Sequence, residues 1–138
     1  MKVAIYIIRF LLALMFIYAG IEKLFLPYDP SIFRANAVGS DPLFFEFYDF
    51  LQNSGYLYFV GFFQLLCGVL LVFKRTYILA AIMLVPLILC LLMTHVYFSK
   101  NTFYILFDSS MFLLNTILIM GRYKEWYPIL FQKNKTLI

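Results

Sequence analysis

The run YILAAIMLVPLILCLLMTHVYF, residues 77–98, decides the fold. It holds no Asp, Glu, Lys or Arg. At 1.5 Å per residue, a helix of this length reaches across a hydrocarbon core of about 30 Å. A helix is required because a backbone polar group in lipid must find its partner within the chain. Lys74-Arg75 stand just before the run and Ser99-Lys100-Asn101 close it.

Three further runs of the same character lie to either side. Residues 103–120 follow, closed by Gly121-Arg122, and residues 56–73 precede, closed by Lys74-Arg75. The first run, residues 3–26, is broken by Arg9, Glu22 and Lys23 and ended by Pro27, which cannot continue a helix cheaply. Very short turns join the second, third and fourth runs, so these must be antiparallel neighbours. The expected fold is an all-α membrane protein: an antiparallel four-transmembrane-helix bundle, residues 1–138 forming one domain.

Composition agrees. The chain is 64% hydrophobic and only 13% charged, against about 45–50% and about 25% in soluble domains. Its mean hydropathy is +0.91. A domain this small keeps too much surface in water to hide that excess, so membrane lipid is the expected solvent. The net charge of +4 does not mark a nucleic-acid partner, because the charges flank apolar runs rather than forming a basic face. Cys67 and Cys90 belong to no CxxC or metal pattern and read as small buried hydrophobes.

The placement of Lys and Arg sets the expected direction. Lys2, Lys74, Arg75, Arg122, Lys124, Lys133 and Lys135 share one side, against Arg34 and Lys100 on the other. Both termini are therefore expected in the cytoplasm, with a bacterial inner membrane as the location. Ala35-Asn36-Ala37 has the shape of a cleavage site, but the preceding run is too long for a signal peptide and a Pro-rich turn intervenes. Loop 27–55 opens with Pro27, Asp29 and Pro30 as turn formers. Asp41-Pro42 then starts a short amphipathic helix, Asp as N-cap and Pro at the first position. Leu43, Phe44, Phe47, Phe50 and Leu51 form its apolar stripe, and it is expected in the interface or as a lid on the bundle.

Ionisable and amide side chains inside apolar runs are site candidates by default. Glu22, Lys23 and His95 fall within about one turn of the expected outer boundary. Asp108, with Ser109 and Ser110 beside it, lies about 8 Å in, and Gln64 about 12 Å in. These residues form the expected ligand-binding or buried polar cluster. Gln64 also reads as interhelical glue. Arg9 and Asn115 lie about 20 Å from that boundary and are expected to form an inner structural contact, the alternative being an Arg9 that extends to the headgroups. Three seams support inward facing: Arg9, Ala13, Phe16, Gly20 and Lys23; Gly61, Gln64 and Gly68; and Asp108, Phe112 and Asn115, with glycines permitting close helix approach.

Residues 9–24, RFLLALMFIYAGIEKL, and 61–68, GFFQLLCG, resemble the opening and second-helix motifs of the DoxX family. The resemblance covers nearly the whole chain. It implies a four-helix membrane protein, with some members linked to quinone-coupled oxidation or membrane oxidoreductase complexes. An acidic residue often stands where this chain has Gln64, which counts against a proton- or quinone-linked role at that position.

Three functions follow as expectations. The first is a non-catalytic subunit or assembly factor, with other membrane or peripheral proteins, or further copies of the chain, as partners. The second is a redox-linked subunit binding quinone through His95 and Asp108, with Phe16 and Phe62 along the ring. The third is a small-molecule or lipid transporter. No catalytic set and no metal site is expected, and a single histidine disfavours intrinsic haem.

Overall fold

The computed structural model describes residues 2–131, in which helices are joined by turns and short loops and no strand occurs. In order come α1 (Lys2–Phe25), α2 (Pro30–Asn36), α3 (Pro42–Asn53), α4 (Tyr56–Val72), α5 (Tyr77–Thr94), a π-helical turn (His95–Ser99), α6 (Thr102–Met120) and α7 (Tyr123–Leu130). Lys133 and Lys135 lie outside the described residues. Among the described residues three segments are long and apolar enough to cross a membrane: Val3–Phe25, Tyr77–Ser99 and Thr102–Met120. The chain is an integral membrane protein.

The second expected span differs from its reading. α4 has 17 residues, about 26 Å at 1.5 Å per residue. The chain reaches span length there only together with α3, which is bent away by 87°. The bend falls at Gly55, whose φ of 80° lies in the left-handed region that glycine enters without a Cβ penalty.

Four long helices pack in a closed order: α1 on α4, α4 on α5, α5 on α6, and α6 on α1. The α1–α4 contact is a seam of small residues. A Cβ built on Gly68 would lie 2.7 Å from the Ile17 amide nitrogen, and one on Gly20 2.6 Å from the Leu65 nitrogen. These pairings place the end of α1 beside the start of α4, so the two run antiparallel. Leu12, Leu71, Leu84, Ile88 and Leu118 are buried at the centre. Cys67 is buried as expected, whereas Cys90 is exposed. Val3, Ile7, Leu14, Leu79, Leu106 and Leu113 face outward and exposed, a lateral apolar surface suited to lipid.

The loop between α1 and α4 contains two helices where one was expected. Asp29 caps α2 by accepting from the Ser31 and Ile32 amides at 2.8 and 3.4 Å, with Pro30 in the first turn. Asp29-Pro30 is the same capping pair as Asp41-Pro42, read earlier only as a turn. In α3, Asp41 accepts from the Leu43 amide at 3.0 Å. Phe44 is buried and Phe47 and Leu51 are half-buried, whereas Leu43 and Phe50 of the expected stripe are exposed. α3 rests on the π turn, Phe47 stacking on Phe98 at 4.2 Å. At the opposite end, the indole of Trp126 in α7 donates to the Ile119 carbonyl at 2.7 Å.

Candidate functional site

The end of the molecule covered by α2 and α3, here the loop end, holds the polar groups of four helices. α5 loses its α-helical pattern at His95, and the π turn closes with the Lys100 amide bonded to the His95 carbonyl at 2.7 Å. Lys100 takes a φ of 53°, and Asn101 then caps α6 through the Phe103 amide at 3.0 Å. This tight reversal carries His95 over the first turns of α6. Its ring stacks on Tyr104 at 4.9 Å and 22° and lies 5.3 Å from Phe44. Its Nε2 is 3.7 Å from Asp108 Oδ2. That distance allows a charge interaction but exceeds hydrogen-bond range, so this oxygen has no donor among the described residues.

A cavity of about 180 Å³ lies between α1, α4, α5 and α6. Lys23, Gln64, His95 and Asp108 reach it, between Phe16 and Phe107. Gln64 is 2% exposed and its Oε1, like His95 Nδ1, lacks a partner among the described residues. The Lys23 ammonium turns back to the Ala19 carbonyl of its own helix at 3.4 Å. A second cavity of about 490 Å³ opens under α3 and shares Lys23, Leu91 and His95 with the first. Eight of its eighteen lining residues are Phe or Tyr, among them Phe33, Phe44, Phe47 and Tyr48. Both cavities are mostly apolar, and the smaller one gathers four polar side chains on its wall, an arrangement that would suit a lipophile with a hydrogen-bonding group.

The cap is fastened by polar contacts at the chain reversals. Ser99 Oγ donates to Ser40 Oγ at 3.0 Å, and the Asp41 amide donates to the Ser99 carbonyl at 2.8 Å. Asn101 Nδ2 donates to the Val38 carbonyl at 3.0 Å. Lys100 pairs with Asp41 at 3.2 Å. Asp49 of α3 accepts from Tyr28, just before α2, at 2.5 Å and from Arg34 of α2 at 2.9 Å. Burial, reinforced by the bond to Asp49, pushes the Tyr28 hydroxyl well above its ordinary value, so it remains a donor.

The structure gathers Lys23, Gln64, His95 and Asp108 at one cavity. Glu22 is exposed and lines only the larger chamber and a neighbouring groove. Ser109 is not in the cluster: it is exposed, and its hydroxyl bonds the Ile105 carbonyl of its own helix at 2.7 Å. Phe62, expected along a ligand ring, is 53% exposed. Among the described residues Gln64 makes no interhelical hydrogen bond, and Arg9 and Asn115 do not bond to each other. Asn115 Nδ2 instead donates to the Ala81 carbonyl at 2.8 Å, because small alanines on α5 let α6 approach. Arg9 extends toward the other end, its guanidinium 4.8 Å from the Tyr6 ring. Tyr104 is a site residue the sequence reading missed. Its spacing of four from Asp108 put both on one face of α6.

The methylamine utilisation protein MauE family model matches residues 1–105. No curated protein and no solved structure matches the chain. The family match corrects the DoxX resemblance. Its motifs were short, apolar and glycine-spaced, a pattern that close helix packing imposes on many membrane proteins. By a match spanning α1 through the start of α6, the chain belongs to the MauE family.

Proposed function

We propose that this protein is a non-catalytic membrane subunit or assembly factor that serves partner proteins of a methylamine-utilising system. The observation that carries the reading is the MauE family match over residues 1–105. The use of polar side chains supports it. Asn115 ties α6 to α5, and Ser99, Lys100 and Asn101 tie the cap to the α5–α6 reversal; these groups build a scaffold. In the same reading α1, α4, α5 and α6 form an antiparallel bundle of four spans in an inner membrane. Both termini are cytoplasmic: Lys74, Arg75, Arg122 and Lys124 mark that side, and Asp29, Asp41, Glu46 and Asp49 the other.

Crosslinking in native membranes of cells using methylamine, followed by purification of the tagged chain, tests the role. A defined partner is the expected result. Recovery of the lone chain, with growth on methylamine unchanged by deletion of its gene, would overturn it. Alkaline phosphatase inserted at Gly39 should be active and a fusion after Phe131 inactive; the reverse pattern overturns the orientation.

The paired cavities favour a second reading, a lipophile such as a quinone with its body in the aromatic chamber and its head at His95. Solvent extraction and mass spectrometry of the purified protein test this. A stoichiometric quinone lost in Asp108→Asn supports it, and no bound quinone refutes it.

A further inference from the structure

The end of the molecule away from α2 and α3 holds an unusual concentration of positive charge around one ring. Arg9 is 5% exposed, has no carboxylate within ion-pair distance among the described residues, and its Nε lacks a protein partner. Its guanidinium lies 4.8 Å from the Phe10 ring and 5.3 Å from the Tyr77 ring. Arg122 approaches the same Tyr77 ring at 5.8 Å. Both guanidiniums approach one buried tyrosine; Arg122 is paired with Glu125, whereas the buried Arg9 charge has no such partner among the described residues and carries a desolvation cost that an anion would offset. Aromatic faces offset part of that cost but satisfy none of the N–H donors.

A groove of about 660 Å³ opens at this point, lined by Arg9, Lys74, Arg122 and Glu125 with Tyr6 and Tyr77. Glu125 is engaged by Arg122. Three cations against one carboxylate leave the groove at +2. It lies at the ends of α1 and α6 and just beyond α4, the level at which an integral membrane protein meets lipid headgroups. Guanidinium groups bind phosphate oxygens through paired, charge-assisted hydrogen bonds, and basic pockets between spanning helices suit anionic headgroups.

We propose that this groove is a phosphate-anion site, with Arg9 as its buried anchor and Lys74 at its rim. The phosphate belongs to an anionic lipid headgroup or arrives free, and two measurements separate these sources. The site does not depend on the function proposed above.

Native mass spectrometry of the detergent-purified full chain, exchanged with phosphatidylglycerol or phosphatidylcholine, reads the lipid. The wild type should retain one phosphatidylglycerol under activation that strips phosphatidylcholine. Arg9→Gln and Lys74→Gln should each cut that preference roughly tenfold, about the worth of one hydrogen bond to a charged group. Lys74 is exposed, so its variant keeps the fold and remains informative if Arg9→Gln does not. Thermal unfolding in lipid-free detergent, with sodium phosphate against sodium chloride at equal ionic strength, reads the free anion. A rise in Tm with phosphate, absent in Lys74→Gln, assigns the site to free phosphate. Equal retention of both lipids with no phosphate shift, or a preference that survives both substitutions, overturns the proposal.

Discussion

Asn115 and Gln64 are two buried amides whose oxygens both lack a partner among the described residues. Asn115 is fully buried but also donates across a helix contact to the Ala81 carbonyl. Gln64 is almost as buried, and its oxygen faces the small cavity without a protein partner. An interhelical hydrogen bond in a membrane protein is worth about 0.6 kcal/mol on average and up to about 1.7. Asn115→Leu should therefore lower stability by about 1 kcal/mol in reversible unfolding in mixed detergent micelles. Gln64→Leu removes a buried acceptor with no protein donor and should be neutral or stabilising. Equal losses in the two variants would show that the Gln64 amide is held as firmly as that of Asn115. Both residues were legible as inward-facing from their seams. Which one bonds was not, because that depends on the approach of α6 to the alanines of α5, a distance no spacing rule supplies.

At the scale of elements, the α1–α4 contact depends on missing side chains. The obstacle at Gly68 is backbone as well as side chain: a Cβ there meets the Ile17 nitrogen at 2.7 Å and the Ala13 carbonyl oxygen at 3.1 Å. Gly68→Ala must separate the helices and should cost about 1–3 kcal/mol, the usual range for overpacking, measured by the same unfolding assay. A wild-type midpoint in this variant would mean the two helices are not held so closely. The cap answers to pH instead. The Leu43 amide and Lys100 hold the Asp41 carboxyl below its ordinary value of 3.8. A carboxyl depressed in the folded state contributes stability above its unfolded pKa and loses it as pH falls through the folded one. The fastening of α3 should hold at pH 7 and loosen below about pH 4. Hydrogen exchange at the Leu43 amide checks this; protection that stays constant down to pH 3 would contradict it. Lys100→Gln should retain the pH dependence in weaker form, since the backbone bond remains.

Across the whole molecule, lipid changes what burial is worth. Leu84 is fully buried among α1, α4, α5 and α6. In a water-soluble core Leu→Ala costs about 2–5 kcal/mol. Between membrane helices the transfer contribution largely vanishes, leaving lost dispersion contacts. Leu84→Ala should cost about 1–2 kcal/mol by the unfolding assay, and a loss above about 4 would indicate packing as in a soluble core. The helical class, the membrane setting, three of the long apolar segments and the cap of α3 were all determined by the sequence itself. Each rests on local composition or a local hydrogen bond: an uncharged run of helical length, or an Asp-Pro pair at a helix start. Only the tertiary structure decided the rest. The bend at Gly55 divided the second apolar stretch from its loop helix. The π turn after Thr94 set His95 on Tyr104, beside the Asp108 that reaches the cavity. Arg9 was taken from Asn115 to a ring it shares with Arg122. Depth along a helix follows from counting residues, but partnership follows from rotation and approach, and those are set by contacts between segments far apart in the chain.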